Sequence, residues 1–164
     1  MAASTVIKNL NDGTITLSDG TGSPVTLVVP FSTGDLSVSG LAEQQNEVAK
    51  YETRGTFHSA RHTVRSYPSG SFSFQMADYS DATSTTAYDF IRKTNSYSAN
   101  VSTLGANADV YSIDIILTVE GTDHGDASDH TLTLTNCVCT MDISEGDPNT
   151  GTINFECLGT VTAA

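Results

Sequence analysis

The stretch HTLTLTNCVCTMDIS, His130 to Ser144, followed by EGDPNTG and then by TINFECLGTVT, Thr152 to Thr162, decides how the chain is read. Side chains alternate between the two faces of a strand, so a polarity period of two marks a sheet. Cys137, Cys139, Met141 and Ile143 point one way, and Asn136, Val138, Thr140 and Asp142 the other. Leu132, Leu134 and their neighbours lie ahead of them, on the same run. In the next run Ile153, Phe155, Cys157 and Val161 share a face, while Asn154, Glu156 and Thr160 share the opposite one. Two long strands around an acidic turn therefore close the chain.

All three cysteines fall in this stretch, which raises the question of a metal or redox site. Cys137, Cys139 and Cys157 travel with the apolar set, where a free thiol behaves as a small hydrophobe, and core packing is the expectation for each. A Cys-x-Cys pair within one strand is poorly placed for a mutual disulfide, and a zinc site needs about four ligands, commonly arranged around turns. A cross-strand disulfide through Cys157 stays open. The N-terminus, MAASTVIKNLNDG, carries neither the basic nor the apolar region of a secretory signal, and no apolar run is long enough to cross a bilayer. A soluble, intracellularly made protein with reduced thiols is expected.

Upstream the dominant period is again two. VIKNL, NDG and TITLS read as a hairpin, Asp-Gly accepting the positive φ of a tight turn. VTLVVPF, Val25 to Phe31, reads as a buried strand ended by Pro30. DLSVS, Asp35 to Ser39, alternates and runs into GLAEQQNEVAK, which has no sustained apolar period, so a long polar loop is expected over about 32–50. Tyr51 to Tyr67 carries strand-type residues, Pro68-Ser69-Gly70 turns the chain, and SFSFQMA is a clear strand. One segment breaks the pattern. In DYSDATSTTAYDFIRKTN, Ser80 or Asp81 can cap a helix, Ala87, Phe90 and Ile91 fall three or four apart, and Arg92 and Lys93 sit where the helix dipole favours cations. YSIDIILTVEG, Tyr111 to Gly121, is a further long strand. The expected fold class is all-β, mainly strand with one short helix, in a single domain over 1–164, with flexible ends at Met1 to Thr5 and Gly159 to Ala164.

Charge is unevenly spread. The formal net charge is -12, all seven basic residues lie at or before Lys93, and ten acids and no base follow. A conventional nucleic-acid binder is excluded, because neutralising phosphates needs a basic patch, and anionic membranes are disfavoured for the same reason. Solubility by self-repulsion and a surface that does not hold a passing polyanion are both compatible with this balance.

Sites of chemistry are sparse. His58 and His62 have helical zinc spacing, but HSARH lacks the glutamate of HExxH, and in a strand the rings lie more than about 12 Å apart. The loop with Asp123, His124, Asp126, Asp129 and His130 is the best metal candidate, although its spacing departs from the EF-hand pattern and a solvated acidic loop is the leading reading. Gly20 and Gly22 in SDGTGSP open no helix in a βαβ unit, and no nucleophile elbow is present. Arg54, Arg61 and Arg65 can pair with Glu47, Glu52 or a neighbouring subunit's acids. No cofactor and no enzymatic activity are expected.

The order of elements carries a resemblance. An early hairpin and long polar loop, then PSGSFSF, then the helix SDATSTTAYDFIRK, then LTLTNCVCTMDISEGDPNTGTINFECLGTV resembles the tail tube (major tail) proteins of long-tailed bacteriophages across nearly the whole chain. The resemblance implies a β-sandwich or barrel-like subunit in stacked six-fold rings, located in the virion tail and made in the bacterial host cytoplasm. The genome passes through the lumen, the tape-measure protein fills it beforehand, and tail terminator and tip proteins are further partners. Asp114, Asp142 and Glu156, opposite the apolar registers of their strands, are candidates for an acidic surface, with the lumen one option. The segment from Ser32 to Lys50, with Asp35, Glu43, Gln44, Gln45, Glu47 and Lys50, is the candidate for an inter-ring loop, and Arg54, Arg61 and Arg65 for inter-subunit salt bridges. A capsid decoration protein, or an adhesin-like or carbohydrate-binding sandwich, are the alternatives; the chain has no tryptophan for the latter.

Overall fold

The computed structural model describes residues 13–41, 47–64, 66–80, 82–83, 85–105, 109–121 and 128–164. In chain order the elements are β1 (Thr14–Ser18), β2 (Thr26–Val28), β3 (Ser37–Ser39), β4 (Glu47–Thr53), β5 (Thr56–Val64) and β6 (Ser69–Gln75), then α1 (Ala87–Arg92), a 3-10 turn (Asn95–Tyr97), β7 (Ile113–Val119), β8 (His130–Ser144), β9 (Thr150–Cys157) and β10 (Val161–Ala163). The described residues are mainly β with one short α-helix. Eight strands form one antiparallel sheet in the order β2-β1-β7-β8-β9-β6-β3, with β10 beside β8, and β4 and β5 make a sheet of their own.

Strand β8, 15 residues long, is the axis of this sheet. Along one edge it pairs with β7, and along the other with β10 and then β9. Its inward side changes parity part-way. Leu134 faces Ile115 and Cys137 faces Ile113, so three residues of β8 span what two span on β7. The extra residue is a bulge at Thr135–Asn136, and Asn136 has a φ of 57°, a left-handed conformation that asparagine tolerates better than branched residues. Its N–H, displaced from the ladder, donates to the Asp114 carboxylate at 2.9 Å. Leu132 and Leu134 before the bulge, and Cys137, Cys139 and Met141 after it, therefore all enter the same core. The two registers read from the sequence are two halves of one strand joined by this bulge.

Opposite the bulge, the link from β9 to β10 bends to match. Leu158 N–H donates to Asn136 O, Gly159 N–H to Thr135 O and Thr135 N–H to Thr160 O, while the Thr135 hydroxyl accepts from Thr160 N–H at 2.8 Å. A Cβ on Gly159 would run into the carbonyl and side chain of Thr135. The single last strand expected over Thr152 to Thr162 is thus two strands, and residues 161–163, expected within a flexible end, pair with β8. Ala164 exchanges both backbone hydrogen bonds with Thr131.

The core is one cluster that includes Leu17, Phe72, Phe90, Ile113, Ile115, Leu134, Ile153 and Phe155. Helix α1 packs against it through Phe90, whose ring meets Tyr97 edge-on at 4.8 Å. The helix is shorter than the sequence pattern implied. Its cap is Thr86, whose hydroxyl accepts from Asp89 N–H at 3.0 Å. Ser80, one of the two caps expected, instead donates to the buried Asp89 carboxylate, as do Thr86, Thr94 and Asn95. A fully buried carboxylate with four donors is compensated for the water it gives up, and it fixes both ends of a helix too short to stand alone.

Three other expectations change. Val25 to Phe31 is not buried on both faces: Leu27 and Val29 are buried, but Val28 is 55% exposed, because β2 is an edge strand with one face to solvent. Ser69 and Gly70 belong to β6 and not to a turn. The region 32–50 is not a continuous loop, since it contains β3 and the first half of β4; residues 42–46 lie outside the described ones, as do Val6 to Leu10 and Asn11-Asp12 of the first hairpin.

Replacing Asn136 by Val should destabilise the fold by about 1–2 kcal/mol, the cost of a side chain poorly suited to the left-handed region, whereas Asn136→Gly should be close to neutral. Gly159→Ala should cost about 1–3 kcal/mol by overpacking. Urea unfolding of the three variants checks all three values.

Candidate assembly surfaces

The hairpin β4–β5 stands apart from the main sheet. Arg54 and Gly55, with φ of 51° and 79°, form its two-residue turn, the geometry that matches the strand twist. Of its side chains whose burial is described none is buried, and all but Ala49 and Ser59 are exposed. Val48, Tyr51 and Phe57 are exposed, Phe57 at 64%. An isolated two-stranded hairpin is marginal in water, and the register puts Val48 and Phe57 on one face of this one and Tyr51 on the other. Of the residues expected to reach a neighbouring ring, Glu47 and Lys50 are on β4, and Glu43, Gln44 and Gln45 lie outside the described residues. Asp35 is used inside the chain, where its carboxylate accepts from Ser73 N–H at 2.7 Å. Arg54 is at the arm's tip and Arg61 opposite Ala49, while Arg65 is outside the described residues. The Arg-Gly dipeptide between two strand-type runs was the available sequence signal for this arm.

The outer face of the main sheet is rich in hydroxyls, with Val138, Ile116 and Asn154 among them. Cross-strand partners place Ser39 against Ser69, Ser71 against Asn154, Ser73 against Thr152 and Thr140 against Asn154, and Thr118 meets both Thr14 and Thr131. Ser73 and Thr152 share a hydrogen bond at 3.1 Å. Asp142 and Glu156 rise from this face on neighbouring strands, both exposed, with Asn154 donating to Asp142 at 2.8 Å. Asp114 is half-buried and engaged by the bulge. The three acids expected on one surface thus divide into two exposed charges and one structural acceptor.

Asp19 is a structural acceptor that the sequence reading missed. It is 2% exposed and accepts from Val25 N–H at 2.7 Å, Val101 N–H at 3.1 Å and the Thr21 hydroxyl at 2.9 Å. Burial pushes its carboxyl up, but the backbone N–H groups of Val101 and Val25, with Thr21, outweigh it and hold it below the usual carboxylate range. The signal available was the Asx pattern of SDGTG, read above only for phosphate binding.

Cys137 and Cys157 are fully buried free thiols, and Cys139 is partly buried. Among the described residues no three metal-ligating side chains converge. Asp129 accepts from Gly121 N–H at 3.1 Å, closing the base of the loop whose Asp123 and Asp126 are outside the described residues. His58 and His62 lie on exposed β5. An apolar cleft of about 660 Å³ opens between β3 and the β7–β8–β10 side, lined by Leu36, Val38, Leu41, Leu117, Val119 and Leu132. Strands distant in sheet order line one cleft because the sheet curls on itself.

This curled sheet with a short helix and a detached hairpin has counterparts among solved structures. A chain of the PVC sheath/tube terminator, from an extracellular contractile injection system in its extended state, matches with a TM-score of 0.61 at 15% identity, over 99% of each chain. A chain of the anti-feeding prophage cap, the AFP tube terminating cap, matches with a TM-score of 0.59 at 16% identity, over 100% of this chain and 94% of that one. A chain of the PVC sheath-tube complex matches at 0.54 and 15% identity, covering 92% and 87%. The fold is shared with components of contractile injection systems. No family model and no curated protein sequence matches.

Asp19→Asn should lower stability at neutral pH and flatten its acid limb. A carboxyl with a depressed folded pKa contributes stability above its unfolded value of about 3.9 and loses it as pH falls through the folded value. The difference between the two proteins in urea midpoint should therefore be largest near pH 7 and shrink towards pH 2.

Proposed function

We propose that the chain is a structural subunit of a phage-tail-like tube, assembling with copies of itself into stacked rings around a lumen. The observation that carries this reading is the combination of a tube-associated fold over the whole chain with a hairpin arm whose apolar side chains the chain's own body leaves exposed. The arm and the apolar cleft are different surfaces on one molecule, which is what a heterologous contact between copies requires, and such contacts close into rings when the rotation per subunit is right. Six-fold rings, a tape-measure protein in the lumen and terminator or tip partners come with the resemblance to tail tubes.

The hydroxyl face with Asp142 and Glu156 is the proposed lumen wall. Neutral hydroxyls offer a passing phosphate chain no cation, and the exposed carboxylates repel it at short range, within a Debye length of about 8 Å at physiological salt. DNA would then pass without being held. Arg54 and Arg61, at the tip and along the arm, are placed to meet acids of a neighbouring copy.

A second reading, a terminator or cap ring that ends a tube, is favoured by the two neighbours with TM-scores of 0.61 and 0.59, which come from a terminator and a cap structure. Negative-stain electron microscopy of concentrated protein separates the two. Hollow stacked tubes of open length support the tube subunit, single or paired rings the terminator, and a monomer at every salt concentration overturns both. Screening salt should favour assembly. Val48→Ser with Phe57→Ser should abolish rings while leaving the circular dichroism spectrum unchanged. Asp142→Lys with Glu156→Lys should leave assembly intact but make tubes retain short duplex DNA at low salt, measured by co-sedimentation.

A further inference from the structure

Cys137 and Cys157 are direct partners across the β8–β9 ladder. Leu158 N–H donates to Asn136 O, a bond that flanks the pair, so the two cysteines occupy a non-hydrogen-bonded position, where Cα atoms are about 4.5 Å apart and side chains closest. That separation lies at the lower end of the range a disulfide accepts. The thiols also converge on adjacent carbonyls of the bulge, Cys137 Sγ donating to Leu134 O at 3.5 Å and Cys157 Sγ to Thr135 O at 3.2 Å. Both are free. Cys139 has Phe155 as its partner.

We propose that Cys137 and Cys157 form a cross-strand disulfide when the chain meets an oxidising low-molecular-weight disulfide, stapling β8 to β9 beside the bulge. Before the ladder closes over the pair, or while it is locally open, the Cys157 thiolate attacks one sulfur of the oxidant and releases one small thiol. Cys137, giving up its proton to water, then attacks the Cys157 sulfur and displaces the second. Two protein thiols lose two electrons and two protons, and the oxidant is reduced to two thiols. The order follows from the surroundings. The Cys137 thiol, with backbone contacts at Gly159 and Thr135, holds Cys157 at about 7 against the effect of burial, and the same shared hydrogen bond together with burial pushes Cys137 up.

The staple closes a loop that contains the β8–β9 hairpin, so it restricts the unfolded chain and leaves the folded ladder in place. A particle component that leaves the reducing cytoplasm would be locked by it.

The test refolds the full chain with oxidised glutathione, and separately incubates the folded chain with it. Remaining thiols are alkylated and the digest is mapped by mass spectrometry without reductant. The expected result of the refolding arm is a peptide linking Cys137 to Cys157 with two hydrogens lost, one alkylated thiol per chain at Cys139 and a higher urea midpoint that reductant reverses; in the folded chain, where both thiols are fully buried, the same linkage should form more slowly, as local opening admits the oxidant. Cys139→Ser should keep the linkage, which separates the proposal from any folding defect of a Cys157→Ser variant. Alkylation of all three thiols in both arms, a linkage through Cys139, or linkage only between chains overturns it.

Discussion

The 2.9 Å hydrogen bond from Asn136 N–H to the Asp114 carboxylate holds the bulge on which the sheet depends. Without the extra residue, the strict alternation of a 15-residue strand would send either Leu132 and Leu134 or Cys137, Cys139 and Met141 to the outer face, since a one-residue slip inverts every side chain. The bulge lets β8 use both apolar sets on one side and so pair with β7, β9 and β10 over a single core. Gly159 and Thr135 adapt the opposite strand to it. Strand twist increases at a bulge, consistent with a sheet that curls until β3 and β7 border one cleft.

The acids of this chain divide by what they touch. Asp19, Asp89 and Asp114 accept backbone or side-chain hydrogen bonds that position loops, the helix and the bulge. Asp142 and Glu156 face solvent from a surface that Ser and Thr hydroxyls share with Asn154 and Val138. Net charge therefore overstates the negative surface, because part of it is used in internal joints. Asp142 and Glu156 are the part that a passing polyanion would meet in the proposed lumen. The apolar side chains of the arm present the complementary problem, an exposed surface that a second copy would cover in the proposed assembly.

Period-two alternation made the strands legible, since one buried and one solvated face leave a direct imprint on polarity. The Ala87, Phe90 and Ile91 spacing located the helix, but its cap was misplaced by six or so positions, because Ser80 and Thr86 are both good caps and only the carboxylate of Asp89 decides how each is used. The arm was partly missed. Exposed strands have no buried face to pattern them, so Glu47 to Lys50 reads as loop although it is the first half of β4.

By itself the sequence determined the all-β class, the short helix, the apolar company of the cysteines and the one-sided charge of the C-terminal half, because each is a local or additive property of residues. The tertiary structure alone decided that Cys137 faces Cys157, that Asp114 is an acceptor while Asp142 and Glu156 stay exposed, and that the hydroxyls of several strands join into one face. Those facts depend on the register between paired strands, and register is set by where the ladder shifts by one residue.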